Sequence, residues 1–149
     1  MGHARLAWPA VAVALALAFA AGASDAPARG AASDATVVAK LLRTQTGHFN
    51  AGRWRALWRT YTPKFRRGCS YTLWLREQRA AQALVGARLS VRSIRVRVSG
   101  RRALVSYVMV LGDRGYSVVK PPRADLYVKI GRRWLDEGDQ ITLCRAGAA

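Results

Sequence analysis

The sequence predicts an α+β domain in which three helices come first and an antiparallel sheet follows. Two patterns lead to this prediction. Apolar residues recur at helical spacing up to Val85, and from Leu89 onward they alternate with polar residues as in a half-buried strand. Helices gathered in one half of a chain exclude a repeating βαβ unit. The chain has 149 residues, of which 51% are hydrophobic and 22% charged, so one globular domain is expected.

The first residues have the three parts of a secretory signal. His3 and Arg5 form a weakly positive start, an apolar run continues to Ala21, and small residues then offer a cleavage site. A membrane anchor is the alternative, but a helix needs roughly 20 apolar residues to cross a ~30 Å hydrocarbon core, and this run is shorter. We therefore expect residues 1–23 to be removed near Ala23 and the protein to be secreted or held in the cell envelope.

The mature chain divides into a lead, a domain and a tail. Residues 24–35 are rich in small and polar side chains without an apolar period, which predicts a flexible linker. The domain then covers residues 36–145, and residues 146–149 form a flexible tail.

Three amphipathic helices open the domain. Asp34 is placed to cap the first helix, whose apolar stripe includes the polar residues Gln45 and His48. The second helix turns its aromatic residues inward and ends before Pro63, because the residue before a proline disfavours helical geometry. Ser70 is placed to cap the third.

The second half of the chain predicts strands joined by turns. They lie at residues 89–98, 103–111, 116–119, 126–130 and around Trp134. The run 103–111 is apolar on both of its faces, which predicts the central strand of the sheet, covered on each side.

Two short strings resemble a known superfamily. They are FNAGRW at residues 49–54 and YVKIGRRW at residues 127–134. From Thr36 to Asp139 the chain resembles the nuclear-transport-factor-two-like superfamily, which includes SnoaL-like and ketosteroid-isomerase-like proteins. The resemblance implies a strongly curved sheet forming a cone whose mouth the helices close, and a homodimer through the outer sheet face. The chain departs at Arg53, where members commonly carry Asp.

Superfamily members include isomerases, dehydratases, cyclases and binding modules, so the resemblance transfers no activity. Aromatic and polar residues that would face into such a cone are candidates to line a ligand pocket. They are Gln45, His48, Trp58, Tyr61, Tyr107, Tyr127 and Trp134. A pocket of this kind would take a small, largely apolar ligand. Core packing of the aromatic residues, and a solvated helix end for the histidine, are the alternatives.

The sequence contains no recognisable catalytic constellation. It lacks a serine nucleophile elbow, a glycine-rich phosphate loop and paired histidines. Asp125 is expected at the start of a strand. Asp136, Glu137 and Asp139 cluster after Trp134 and are expected at a solvated strand end or beside arginines, with a catalytic role as the alternative. We therefore expect a binding module for a small apolar ligand or a protein partner, with no cofactor and no metal. The alternative is an isomerase or dehydratase acting in the cone.

Basic residues dominate the charge of the chain. Lys and Arg number 25 against 8 for Asp and Glu, giving a net charge of +17. Five arginines gather in the first strand and its turn: Arg92, Arg95, Arg97, Arg101 and Arg102. Such a face predicts, as a further alternative, a module that binds an anionic polymer with strong salt dependence. A solvated face is the favoured interpretation, because no aromatic residues of a single-strand-binding motif accompany the arginines.

Cys69 and Cys144 are the two cysteines of the chain. Export to an oxidising compartment predicts a disulfide between them, and the alternative is a pair of buried thiols. The bridge would join the helical half to the end of the sheet, and loop-closure entropy would make it worth about 4 kcal/mol.

Overall fold

A computed structural model describes most of the domain. The described residues are 29–85, 88–112, 117–119, 121, 123–141 and 144. The predicted signal at residues 1–23 and tail at residues 146–149 lie outside them. Within these ranges no helix has the length and apolar character needed to cross a bilayer.

The chain is α+β, with helices followed by strands. The helices are α1 (Arg29–Asn50), α2 (Trp54–Trp58), α3 (Pro63–Gly68) and α4 (Tyr71–Val85). The strands are β1 (Leu89–Ser99), β2 (Arg102–Leu111), β3 (Ser117–Val119), β4 (Asp125–Ile130) and β5 (Arg133–Asp136).

The described residues contain one helix more than the sequence predicts. The Thr62-Pro63 pair, which was expected only to end a helix, also begins α3. The Thr62 hydroxyl accepts a hydrogen bond from the backbone N–H of Phe65 at 3.1 Å, and Pro63 occupies the first turn, where its missing N–H costs nothing.

α1 begins at Arg29, inside the segment for which a flexible linker was expected. Its first turns are rich in alanine, which has the highest helix propensity. Asp34 therefore lies within the helix and does not cap it. Its carboxylate accepts hydrogen bonds from Lys129 Nζ at 2.8 Å and from Trp134 Nε1 at 3.0 Å, and these bonds lower its pKa. The contact fastens the start of α1 to the sheet.

The strands form an antiparallel sheet in the order β1-β2-β4-β5, with β3 also paired to β2. β2 is the centre of the sheet, as predicted, but the expectation that both of its faces are covered is wrong. Ala103 and Val105 are buried against Val38 and Leu42 of α1, whereas Leu104, between them, is 49% exposed. We call the helix-covered side the inner face and the other side the outer face.

A β-bulge at Ser93 decides which side chains of β1 reach the inner face. Arg92 pairs with Val108 and Arg95 with Ser106, so β1 has one residue more than β2 between these pairs. Ser93 adopts a φ of +51°, and the extra residue shifts the alternation by one position. The apolar residues before and after the bulge therefore all pack against the core. Without the shift, the arginines that follow would point at the helices.

A second core lies among the helices and is largely aromatic. Trp58 contacts four other rings, with a centroid distance of 5.0 Å to Trp74. Beside it the predicted disulfide joins Cys69 to Cys144, which confirms the pairing. The bridge ties the end of the described chain to the segment between α3 and α4.

The bulge generates a prediction about backbone tolerance. We expect Ser93→Val to lower the free energy of unfolding by about 1–2 kcal/mol, because a β-branched side chain is strongly disfavoured at positive φ. Urea unfolding followed by tryptophan fluorescence measures the change. Ser99→Val, exposed at the end of the same strand, is the matched control and should change it by less than about 0.5 kcal/mol. Equal effects at the two positions would contradict the bulge.

Candidate functional site

A cavity of about 480 Å³ lies between the helices and the inner face of the sheet. Most of its lining is apolar, as in pockets for small molecules. Its apolar lining includes Leu42, Phe49, Leu57, Leu89, Met109, Leu111 and Ile141. Its titratable and amide lining includes Gln45, Gln78, Tyr107, Asp125, Tyr127 and Asp136. The cavity therefore combines an apolar wall with a polar patch.

The amide of Gln45 is the centre of a buried hydrogen-bond network. Its Nε2 donates to Asp136 Oδ2 and to Thr60 Oγ1, both at 2.9 Å. Its Oε1 accepts from the Tyr127 hydroxyl at 2.7 Å. Both heavy atoms of the amide are thus partnered, which a residue only 6% exposed requires.

Backbone pairing places Asp136 beneath this amide. Asp136 pairs with Tyr127 across β4 and β5, and its own N–H and C=O bond to the backbone of Thr60 and Thr62. Its second carboxylate oxygen, Oδ1, accepts from the backbone N–H of Gly138 at 2.7 Å. Both oxygens of this carboxylate therefore have protein partners.

Gly138 reaches that position because it has no side chain. Its φ is +68°, and a Cβ built there would overlap the ring of Phe65. Glycine adopts this left-handed conformation without strain. The turn after β5 can thus bring its N–H to Asp136 while the ring packs against the backbone.

Asp125 forms a second polar group on the same inner face. Its Oδ2 accepts a hydrogen bond from the Tyr107 hydroxyl at 2.7 Å. Its Oδ1 is buried and has no partner among the described residues. The residue is 6% exposed and lines the cavity. One oxygen of this carboxylate therefore still needs a hydrogen-bond donor.

Burial raises the pKa of both carboxyl groups. The pKa of Asp136 rises to about 7, although the hydrogen bond from Gly138 acts in the opposite direction. The pKa of Asp125 rises to about 6, opposed by the Tyr107 hydrogen bond and assisted by the charge of Asp139. Burial and the same carboxylates raise the pKa of Tyr107 and Tyr127, so both phenols stay protonated near neutral pH.

The structure separates the predicted pocket residues into two groups. Four line the cavity: Gln45, Tyr61, Tyr107 and Tyr127. The other three lie outside its lining: His48, Trp58 and Trp134. The first of these is partly exposed near the end of α1, the second belongs to the aromatic core, and the third packs under α1.

The expectation that the carboxylate cluster after Trp134 is solvated is wrong for Asp136, and Asp125 is buried with it. Asp125 and Asp136 are buried at 6% and 9% exposure. Glu137 forms a 3.4 Å ion pair with the exposed Lys64, and Asp139 accepts a hydrogen bond from a backbone N–H of β4. Spacing of two along β4 places Asp125 on the same face as Tyr127, which is the signal that the sequence offered for its inward position.

No protein-family model matches the chain, and no curated protein matches it either. What the cavity can do therefore follows from its own side chains. An apolar hollow can hold a hydrophobic body, and a half-partnered carboxylate can accept a hydrogen bond or, near its pKa, a proton.

The five predicted basic residues lie at the opposite side of the sheet. Arg92, Arg95 and Arg97 are exposed on the outer face of β1, and Arg102 is exposed at the start of β2. Arg101, in the turn, donates from Nε to the carbonyl of Lys129 at 3.0 Å. We call Arg92, Arg95, Arg97 and Arg102 the arginine row.

Asp136→Asn tests whether this buried carboxyl group causes the free energy of unfolding to depend on pH. Its folded pKa of about 7 exceeds the 3.8 of an ordinary Asp, so the folded state binds the proton more tightly than the unfolded state. Its favourable contribution is therefore complete below about pH 4 and is lost as the pH rises through 7. We expect the free energy of unfolding to fall by roughly 1.5–2 kcal/mol between pH 6 and pH 8 in the wild type, and by less than half as much in the variant, where Asp125 still titrates.

Urea unfolding at several pH values measures this effect, and the slope against pH decides the outcome independently of the absolute free energy. Glu77→Gln on α4 is the control and should keep the wild-type slope. A slope that Asp136→Asn leaves unchanged would show that another group titrates.

Proposed function

We propose that the cavity binds a small, largely apolar molecule that carries one hydrogen-bond donor. The single observation that carries this proposal is the buried Oδ1 of Asp125, which lacks a partner among the described residues although the residue lines the cavity. The volume of about 480 Å³ falls in the range of pockets for drug-sized molecules.

The two buried carboxylates differ in what they can offer to a ligand. Asp136 is held by Gln45 and Gly138 and would have to lose a hydrogen bond in order to bind anything else. Asp125 has one oxygen held by Tyr107 and the other without a partner. An unpartnered buried oxygen costs about 1–3 kcal/mol, and an O–H or N–H group of a ligand would offset that cost.

We infer further that the domain is a cone of the nuclear-transport-factor-two-like kind, acting outside the cytoplasm. The cavity enclosed between helices and the inner face supports the cone, as does the bulge at Ser93, because bulges bend and twist a strand. The disulfide supports export, because such bonds persist in oxidising compartments.

A matched pair of ligands tests the binding proposal. N-phenyl-1-naphthylamine, a neutral fluorescent probe, is bound by the full chain and then displaced by 2-naphthol or by 2-methoxynaphthalene, which lacks the O–H group. We expect 2-naphthol to displace the probe at about tenfold lower concentration, because a hydrogen bond to a charged group is worth about 1.5–3 kcal/mol. Asp125→Asn should abolish that preference, since its amide presents a donor in place of the free acceptor.

Two further variants locate the probe. Met109→Trp should prevent binding because Met109 lines the cavity, whereas Leu104→Trp on the outer face should leave binding unchanged. Probe binding that survives Met109→Trp, or a preference for 2-naphthol that survives Asp125→Asn, would contradict the proposal.

The same residue favours a second candidate function, an isomerase or dehydratase that moves a proton. Asp125 has a pKa of about 6, which is close to the value that suits a general base near neutral pH. The Tyr107 hydroxyl holds the other oxygen and fixes the orientation of the carboxylate. A bound β,γ-unsaturated ketone would give its α hydrogen to Asp125 as a proton, leaving a dienolate, and return of that proton to the γ carbon would complete an isomerisation.

Hydrogen exchange tests this candidate without knowledge of the natural substrate. We expect the protein to speed the exchange of the α hydrogens of 2-tetralone with D₂O, followed by NMR, and Asp125→Asn to slow it at least about 100-fold, the usual contribution of a general base. Glu77→Gln should keep the full rate. If exchange is no faster than in buffer, the enzyme candidate is wrong. The binding proposal is then decided by the displacement experiment alone.

A further inference from the structure

We propose that the outer face of the sheet is a second binding site, which takes the phosphodiester backbone of a linear polymer along the arginine row. The proposal is independent of the cavity, because the arginine row lies on the other side of the sheet. It rests on the spacing of the arginines, on the absence of neutralising carboxylates near them among the described residues, and on a groove beside them.

The arginines are spaced along one line. Arg95 and Arg97 are two residues apart on β1, so their side chains leave the same face about 6.6 Å apart. Arg92 precedes them across the bulge, and Arg102 lies across the hairpin, paired with Ser99. The row follows the strand for about 20 Å at ~3.3 Å per residue. A line of charges of this kind matches a linear chain of anionic groups.

Protein carboxylates do not neutralise this row in the described part of the chain. The two ion pairs seen there join Asp34 to Lys129 and Glu137 to Lys64, and neither includes an arginine of the row. The outward-facing described positions of β1, β2 and β4 hold no Asp or Glu, because Asp125 faces inward. A net charge of +17 adds to the attraction for a polyanion.

A groove of about 380 Å³ runs beside the row at the bulge. Arg95 and Arg97 line it together with the hydroxyl residues Ser93 and Ser106. Guanidinium groups bind phosphate oxygens through paired N–H donors, and serine hydroxyls add single donors. The groove therefore offers a concave seat for a phosphate group, which a flat bilayer surface could not enter.

The side chains of the outer face suit contacts with a phosphodiester backbone and do not suit stacking on bases. The outward-facing described positions of β1 and β2 are occupied by arginine, serine and aliphatic residues. Tyr107 is the aromatic residue at the groove, and its hydroxyl is held by Asp125. Without exposed rings for stacking, binding should be insensitive to base sequence. A second copy of the chain is disfavoured on this face, because two arginine rows would oppose each other.

Fluorescence anisotropy with labelled 20-nucleotide oligothymidylate and oligoadenylate tests the proposal on the full chain. We expect similar dissociation constants for the two, because the bases are not read. Raising NaCl from 50 to 200 mM should weaken binding by about 20- to 50-fold, the effect of three or four phosphate contacts on single strands.

A pair of double variants with equal charge separates the row from net charge. Arg95→Ala/Arg97→Ala should raise the dissociation constant at 50 mM NaCl at least about tenfold and should reduce the salt slope by about 1.4. Arg76→Ala/Arg79→Ala, at exposed positions on α4, removes the same charge elsewhere and should change the constant less than threefold.

Three outcomes would overturn the proposal. Equal loss in the two double variants would mean that net charge alone drives binding. Binding to phosphatidylglycerol vesicles or to heparin, with no oligonucleotide binding at 50 mM NaCl, would assign the row to a lipid surface or to a sulfated chain. A marked preference for one of the two oligonucleotides would show that bases are read.

Discussion

Gln45 is a buried amide whose hydrogen bonds reach two strands and the segment after α2, so that the position of α1 over the sheet is fixed at one point. The nitrogen meets Asp136 and Thr60, and the oxygen meets Tyr127. A shift of α1 by one residue would leave several of these groups unpaired away from water, which is costly at low dielectric. The network therefore opposes a shift of α1 along the sheet, which would change the shape of the cavity.

The two buried carboxyl groups differ in their hydrogen-bond partners. Gln45 and Gly138 donate hydrogen bonds to the two oxygens of Asp136, so both oxygens have partners within the fold. Asp125 has one oxygen joined to Tyr107, and its other oxygen has no partner in the part of the chain that the structure describes. Two acids of similar burial therefore differ in the number of hydrogen-bond donors that each one finds in the fold.

Sequence reasoning found the order of the elements, the disulfide and four of the residues at the cavity, because each leaves a local mark such as a period or a residue type. It placed Asp136 at a solvated strand end and assigned no burial to Asp125. β4 has an aliphatic face and a polar face, and its inward side is the polar one, with Tyr127 fully buried. Hydropathy alone would turn the aliphatic face of β4 toward the core. The polar face is buried because it finds hydrogen-bond partners such as Gln45, which are distant in the sequence. The backbone turn at Ser93 is equally hidden, because serine gives no local sign of positive φ.

The apolar contact between Gly138 and Phe65 also affects the electrostatics of the cavity, because it positions the N–H group that Gly138 donates to Asp136. Any side chain at position 138 would displace either the ring or the peptide N–H that serves Asp136. Substitution of this one glycine would therefore change the hydrogen bonding of a buried acid without replacing any polar side chain.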